Sequence, residues 1–180
     1  ADPTHNFNRG VSDFVNLTGG KHLVADLAEA GSWERITETT WTLSQEMYDK
    51  GKFSDCLFVR EHLLTATQHI HGREHTDVAT SLDNIGEVYR NLGRFPEALA
   101  KQNEALRIRR SKLGDDHMEV ARSRVNIGLV YQNLGKYEEA LEKYNEALQI
   151  RRSKLGDDHM EEEALAEYEQ ALPVLRRVLG

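Results

Sequence analysis

Apolar residues recur along the middle of the chain at intervals of three and four. Val78, Leu82, Ile85, Tyr89 and Leu92 follow this spacing, as do Phe95, Leu99, Leu106 and Leu113, with small Ala98 and Ala105 between them. Positions spaced this way fall on one side of an α-helix, so each stretch predicts an amphipathic helix with a face to bury. The punctuation agrees. Asn91-Leu92-Gly93 ends the first stretch, because glycine enters the left-handed conformation that closes a helix without a Cβ clash, and Pro96 stands in the tolerated first turn of the second. Leu113-Gly114-Asp115-Asp116 then stops the second helix, and its acidic pair suits the N-terminus of the helix that follows.

This two-helix unit is repeated. Ser81 to Met118 reappears as Ser123 to Met160 at an offset of 42 residues, with about three quarters of the aligned positions identical. A fainter copy lies one period earlier, where Gly51, Phe53 and Leu64 precede Gly93, Phe95 and Leu106. The chain therefore divides into an N-terminal segment, 1–31, that caps the array, and an array over 32–180 with units at about 32–74, 75–116 and 117–158 and a terminal helix at 160–179. After Met160 the pattern breaks. Glu162-Glu163-Ala164-Leu165 matches second-helix sequence at an offset of 24, so 18 residues, the length of one first helix, are missing. Pro173 inside this last helix should kink or end it. Two readings stay open for it: a cap over the exposed end of the array, or a helix that mediates self-association into a homo-oligomer.

Asn84-Ile85-Gly86, Tyr89, Gly93, Ala98 and Ala105, with their copies Asn126-Ile127-Gly128, Tyr131, Gly135, Ala140 and Ala147, resemble the tetratricopeptide repeat signature. The resemblance covers about residues 32–180, and the long period joined by Leu-Gly-Asp-Asp-His is similar to the repeats of kinesin light chains. Leu82 and Arg124 stand where the family often has an aromatic residue, and Arg110 and Arg152 replace its closing proline. The resemblance implies an all-α fold: a right-handed α-solenoid of antiparallel helix pairs, with first helices lining a concave groove.

Carried over from the family, the groove positions are Glu38, Trp41, Gln45, Tyr48 and Asp49 in the first unit. They are Thr80, Asp83, Asn84, Glu87, Arg90 and Asn91 in the next, and Arg122, Val125, Asn126, Leu129, Gln132 and Asn133 in the last complete one. The two near-identical units differ in their first helices at Leu82/Arg124, Asp83/Val125, Glu87/Leu129 and Arg90/Gln132, three of which are groove positions. Divergence of a binding face and free drift of a solvated face explain this about equally well. The implied function is an interaction scaffold that holds a peptide or helical segment of another protein. Glu38, Asp83 and Glu87 would favour a basic residue on that partner, while Trp41, Val125 and Leu129 would receive an apolar anchor.

Composition narrows the alternatives. Twenty-three basic and thirty acidic side chains leave a net charge of −7, which argues against nucleic acid as the partner. No apolar run approaches the roughly 20 residues of a membrane span, so no membrane insertion is expected. One cysteine, Cys56, cannot form an internal disulfide, and with no membrane span a cytoplasmic setting is the simplest expectation; the opening Ala1-Asp2-Pro3-Thr4-His5 lacks the charged and apolar regions of a signal peptide, as a chain whose leader has been cleaved also would. Arg109-Arg110 and Arg151-Arg152 form a basic stripe that could engage acidic partners or phosphates, but their place at helix C-termini, where cations complement exposed carbonyls, favours a structural role. His69, His71 and His75 lie close in sequence, but His75 aligns with the linker residues His117 and His159, so neither a metal nor another cofactor is expected. Gly19-Gly20-Lys21-His22 lacks the pattern of a phosphate loop. No nucleophile, base and orienting group can be named together, so enzymatic activity is not expected.

Overall fold

The computed structural model describes Gly31 and residues 33–155, with the side chains of residues 34–36, 38, 39 and 155 excepted. The N-terminal cap and the terminal helix expected at 160–179 thus lie outside the described residues, as does the side chain of Glu38.

Among the described residues the chain forms six α-helices and no strand: α1 (Trp33–Asp49), α2 (Phe53–His71), α3 (Thr76–Asn91), α4 (Phe95–Leu113), α5 (Met118–Asn133) and α6 (Tyr137–Leu155). Helices of 16 or 17 residues alternate with helices of 19, an all-α repeat fold with the expected punctuation. The described chain parts between Leu92 and Gly93 into two compact units, one holding α1 to α3 and the other α4 to α6. In the first unit α2 packs on both α1 and α3, and in the second α5 packs on both α4 and α6.

The linkers between helix pairs explain two sequence features. Gly72 and Gly114 adopt φ/ψ of 83°/157° and 86°/163°, a region open essentially to glycine alone. The linker histidine is a helix cap: His75 Nδ1 accepts the Asp77 amide at 3.2 Å, and His117 Nδ1 accepts the Glu119 amide at 3.1 Å. Each thereby satisfies one amide that the first turn leaves without a helical acceptor. Repetition of this histidine therefore has a structural cause. Pro96 sits in the first turn of α4, where its missing N–H costs nothing.

Each unit has its own apolar core. In the first, Leu43, Met47, Cys56, Val59 and Val88 are buried together, with Tyr48, Phe53, Leu57, Phe58 and Leu92 at their margin. Cys56 is fully buried, its thiol donates to the Ser44 carbonyl at 3.3 Å, and burial pushes its pKa up, as suits a small core residue aligned with Ala98 and Ala140. In the second unit Val120, Ala121, Val125, Ala140, Tyr144, Ala147 and Ile150 form the core. Tyr144 accounts for Gly128: a Cβ there would lie 2.6 Å from the tyrosine Cε1.

Candidate functional site

The first unit brings residues of two different helices together that were expected to line a groove. Tyr48 near the end of α1 meets Asn91 at the end of α3, where the Asn91 Nδ2 amide donates to the Tyr48 phenolic oxygen at 2.7 Å and to the Glu87 carbonyl at 3.1 Å. Glu87, one turn before Asn91, keeps its side chain 41% exposed. Burial first, and then the Glu87 carboxylate, raise the Tyr48 pKa above its ordinary value.

Beneath this pair lies a residue that the sequence did not single out. Arg60 on α2 is 3% exposed, donates from Nη1 to the Asn84 carbonyl at 2.6 Å, and holds Nη1 3.6 Å from a Glu87 carboxylate oxygen. Its guanidinium carbon lies 5.0 Å from the centre of the Tyr48 ring, within range of a cation–π contact. Arg60 therefore positions both Tyr48 and Glu87 from below. It aligns with Gln102 and Tyr144, three chemically unlike residues, so comparison of the repeats carried no signal for it.

Further along α1, Trp41, Gln45 and Tyr48 follow one another at four and three residues, on one side of the helix. Trp41 is 49% exposed, and Gln45 Nε2 donates to the Asp49 carboxylate at 3.0 Å. Thr80 is exposed, and Asn84 and Arg90 are half-buried. Asp83 differs from expectation. It is buried, 7% exposed, so of the two acids with described side chains among those expected to meet a basic ligand, Glu87 is the one at the surface. The reason is the packing of α3, which buries nine residues, among them small Ala79, Ser81 and Gly86, and so hides more than one apolar stripe.

The second unit corrects the expected apolar anchors. Val125 is part of the core and presents no open apolar surface, while Leu129 packs against that core and stays half-buried. Gln132 accepts the Tyr144 hydroxyl at 2.8 Å, Asn133 is exposed and donates to the Leu129 carbonyl at 2.7 Å, and Asn126 is half-buried. Arg122 pairs with Glu119 at 2.6 Å. The basic pair of α4 is also accounted for within the unit. Arg109, 1% exposed, donates to Ser123 at 2.6 Å and approaches Glu119 at 3.4 Å, while Arg110 pairs with Asp115. The role of Arg109 is thus a buried tie between helices rather than an exposed complement to the helix terminus.

Among the described residues no helix is long and apolar enough to cross a membrane. Comparison with solved structures gives BtubC (BKLC) from P. vanneervenii, with a TM-score of 0.61 at 19% identity, covering 94% of this chain and 74% of that one. A kinesin light chain of Podosopora anserina with nearly identical TPR-like repeats, described as putative, gives a TM-score of 0.51 at 14% identity, covering 91% of this chain and 96% of that one, and a single-substitution form of the same protein gives 0.52. At these identities the likeness is one of fold. No curated protein matches the chain. The family model for the tetratricopeptide repeat matches residues 47–111, 77–153 and 119–162, which together run through well over half of the 180 residues. Repeats of this kind generally serve protein–protein interaction and are typically not enzymes. With its helix pairs, its glycine punctuation and these matches, the chain belongs to the tetratricopeptide repeat family.

Proposed function

We propose that the first unit binds a segment of another protein through the face made by Trp41, Gln45, Tyr48, Glu87 and Asn91, and that this segment carries a lysine or arginine beside an apolar side chain. The observation that carries the reading is the Asn91–Tyr48 hydrogen bond, which fixes side chains of two first helices next to a half-exposed carboxylate. A pre-formed polar pair loses little freedom on binding. Trp41 offers a large exposed ring of the kind that anchors interfaces. Arg60 leaves room for a second cation, because its 3.6 Å approach to one Glu87 oxygen is longer than a charge-assisted hydrogen bond. In the second unit Asn126, Gln132 and Asn133 would serve as amide contacts to a ligand backbone, with Arg122 one turn before Asn126.

Selection from a displayed peptide library against the intact chain tests this. Enriched peptides should share a basic residue next to an apolar one, and Glu87→Lys should weaken their binding by at least about tenfold, the equivalent of one close charge pair. Peptides without a shared basic position, or an unchanged affinity in the Glu87 variant, would remove the first-unit face from consideration.

A further inference from the structure

The linker between α2 and α3 departs chemically from the linker between α4 and α5, although the two share a backbone design. In the second linker the carboxylate of Glu119 is met by Arg122 at 2.6 Å and by Arg109 at 3.4 Å, and Asp115 is held by Arg110. One period earlier those arginines are replaced by Thr80, Thr67 and Gln68, and Asp115 by Arg73. Glu119 becomes Asp77, and Leu113, an exposed leucine, becomes His71. The Asp77 carboxylate accordingly meets imidazoles instead: His71 Nε2 at 3.7 Å and His75 Nδ1 at 3.3 Å. One donor atom from each of the three residues lies within 4.8 Å of the others, and the two rings are stacked with centroids 4.8 Å apart.

We propose that His71, His75 and Asp77 form a binding site for a divalent transition-metal ion such as zinc. Two imidazoles and one carboxylate are a donor set that these ions accept, with water completing the shell. Zinc bound at about 2.0–2.2 Å to nitrogen and carboxylate oxygen holds neighbouring tetrahedral donors a little over 3 Å apart, close to the two distances to Asp77. The third, between the imidazoles, closes by rotation of exposed side chains, whose exposures are 41% for His71 and 45% for His75. Binding at His75 Nδ1 replaces the cap that this atom gives to the Asp77 amide, so the ion takes over the task of fixing the start of α3. The histidine spacing alone did not suggest this site, because His75 is explained by the repeat. What changes the picture is the pairing of His71 with an Asp77 that has lost its arginine neighbours.

Zinc titration of the intact chain by calorimetry, with His71→Leu and Asp77→Asn as variants, decides the matter. The leucine is the residue that the second linker carries in the same place, so the fold tolerates it, which the unfolding midpoint without metal checks. The expected result is one zinc per chain, a rise of the unfolding midpoint with zinc, and binding weakened at least about tenfold in both variants. Absence of zinc binding, or binding that His71→Leu leaves unchanged because other histidines hold the ion, would overturn the proposal. The outcome is separate from the peptide-binding reading, which does not involve these residues.

Discussion

The Asn91 amide stands 2.7 Å from the Tyr48 phenolic oxygen, 43 positions away in sequence, and joins α1 to α3 on the side where Glu87 is exposed. Because Asn91 is exposed, removing the bond should cost little stability and much more function. Asn91→Ala is expected to lower the unfolding free energy by about 1 kcal/mol or less in chemical denaturation. The same variant should weaken a selected peptide more than it weakens the fold, since the Tyr48 hydroxyl then loses its partner on α3 while Arg60 still packs on the ring.

Tyr48 also gives a pH dependence. Folding raises its pKa above 10.0, through burial first and the neighbouring Glu87 second. A group with a raised folded pKa contributes stability that is fully present below its unfolded value and is lost as pH rises through the folded one. The unfolding free energy should therefore decline as pH rises above about 10, and the part due to Tyr48 should vanish in Tyr48→Phe. Denaturation midpoints of both chains across that alkaline range provide the check.

Gly128→Ala should destabilise the second unit by about 1–3 kcal/mol, because the new methyl meets the Tyr144 ring at contact distances that require the aromatic side chain to move. Combining it with Tyr144→Leu should cost less than the sum of the two single changes, as expected for two sites that share one space. Thermal unfolding of the four chains would show the coupling.

His117→Ala removes a helix cap and should cost about 1 kcal/mol, whereas His117→Asp or His117→Asn keeps an acceptor at the same place and should restore most of it. Urea midpoints would distinguish this from a general sensitivity of the linker.

The helical repeat was legible because its signals are local: glycine at the helix ends, Pro96 in a first turn, and apolar residues at three and four. Val78, Leu82 and Ile85 are buried as their spacing predicted. The candidate site was legible only in part. Tyr48, Glu87 and Asn91 could be picked out through family resemblance, but Arg60 could not, since its role depends on the backbone carbonyl of Asn84 across the helix packing. Arg109 stands near a helix C-terminus, which explains a cation there, yet its buried pairing with Ser123 depends on a residue of another helix. Asp83 and Val125 occupy the same place in successive repeats and are both buried, despite their opposite polarity, because a first helix is enclosed on more than one side. Spacing identifies a face, while the extent of its burial depends on neighbours that spacing does not specify.

The central claim is that Glu87 receives a cation from a bound segment beside Tyr48. A charge-exchange experiment addresses it most directly: the affinity of a selected peptide is measured against the natural chain and Glu87→Lys, and then again with the peptide's basic residue changed to glutamate. The account predicts that each single change weakens binding by about tenfold or more and that the two together recover much of the loss. Independent, additive losses, or no loss from Glu87→Lys, would contradict it.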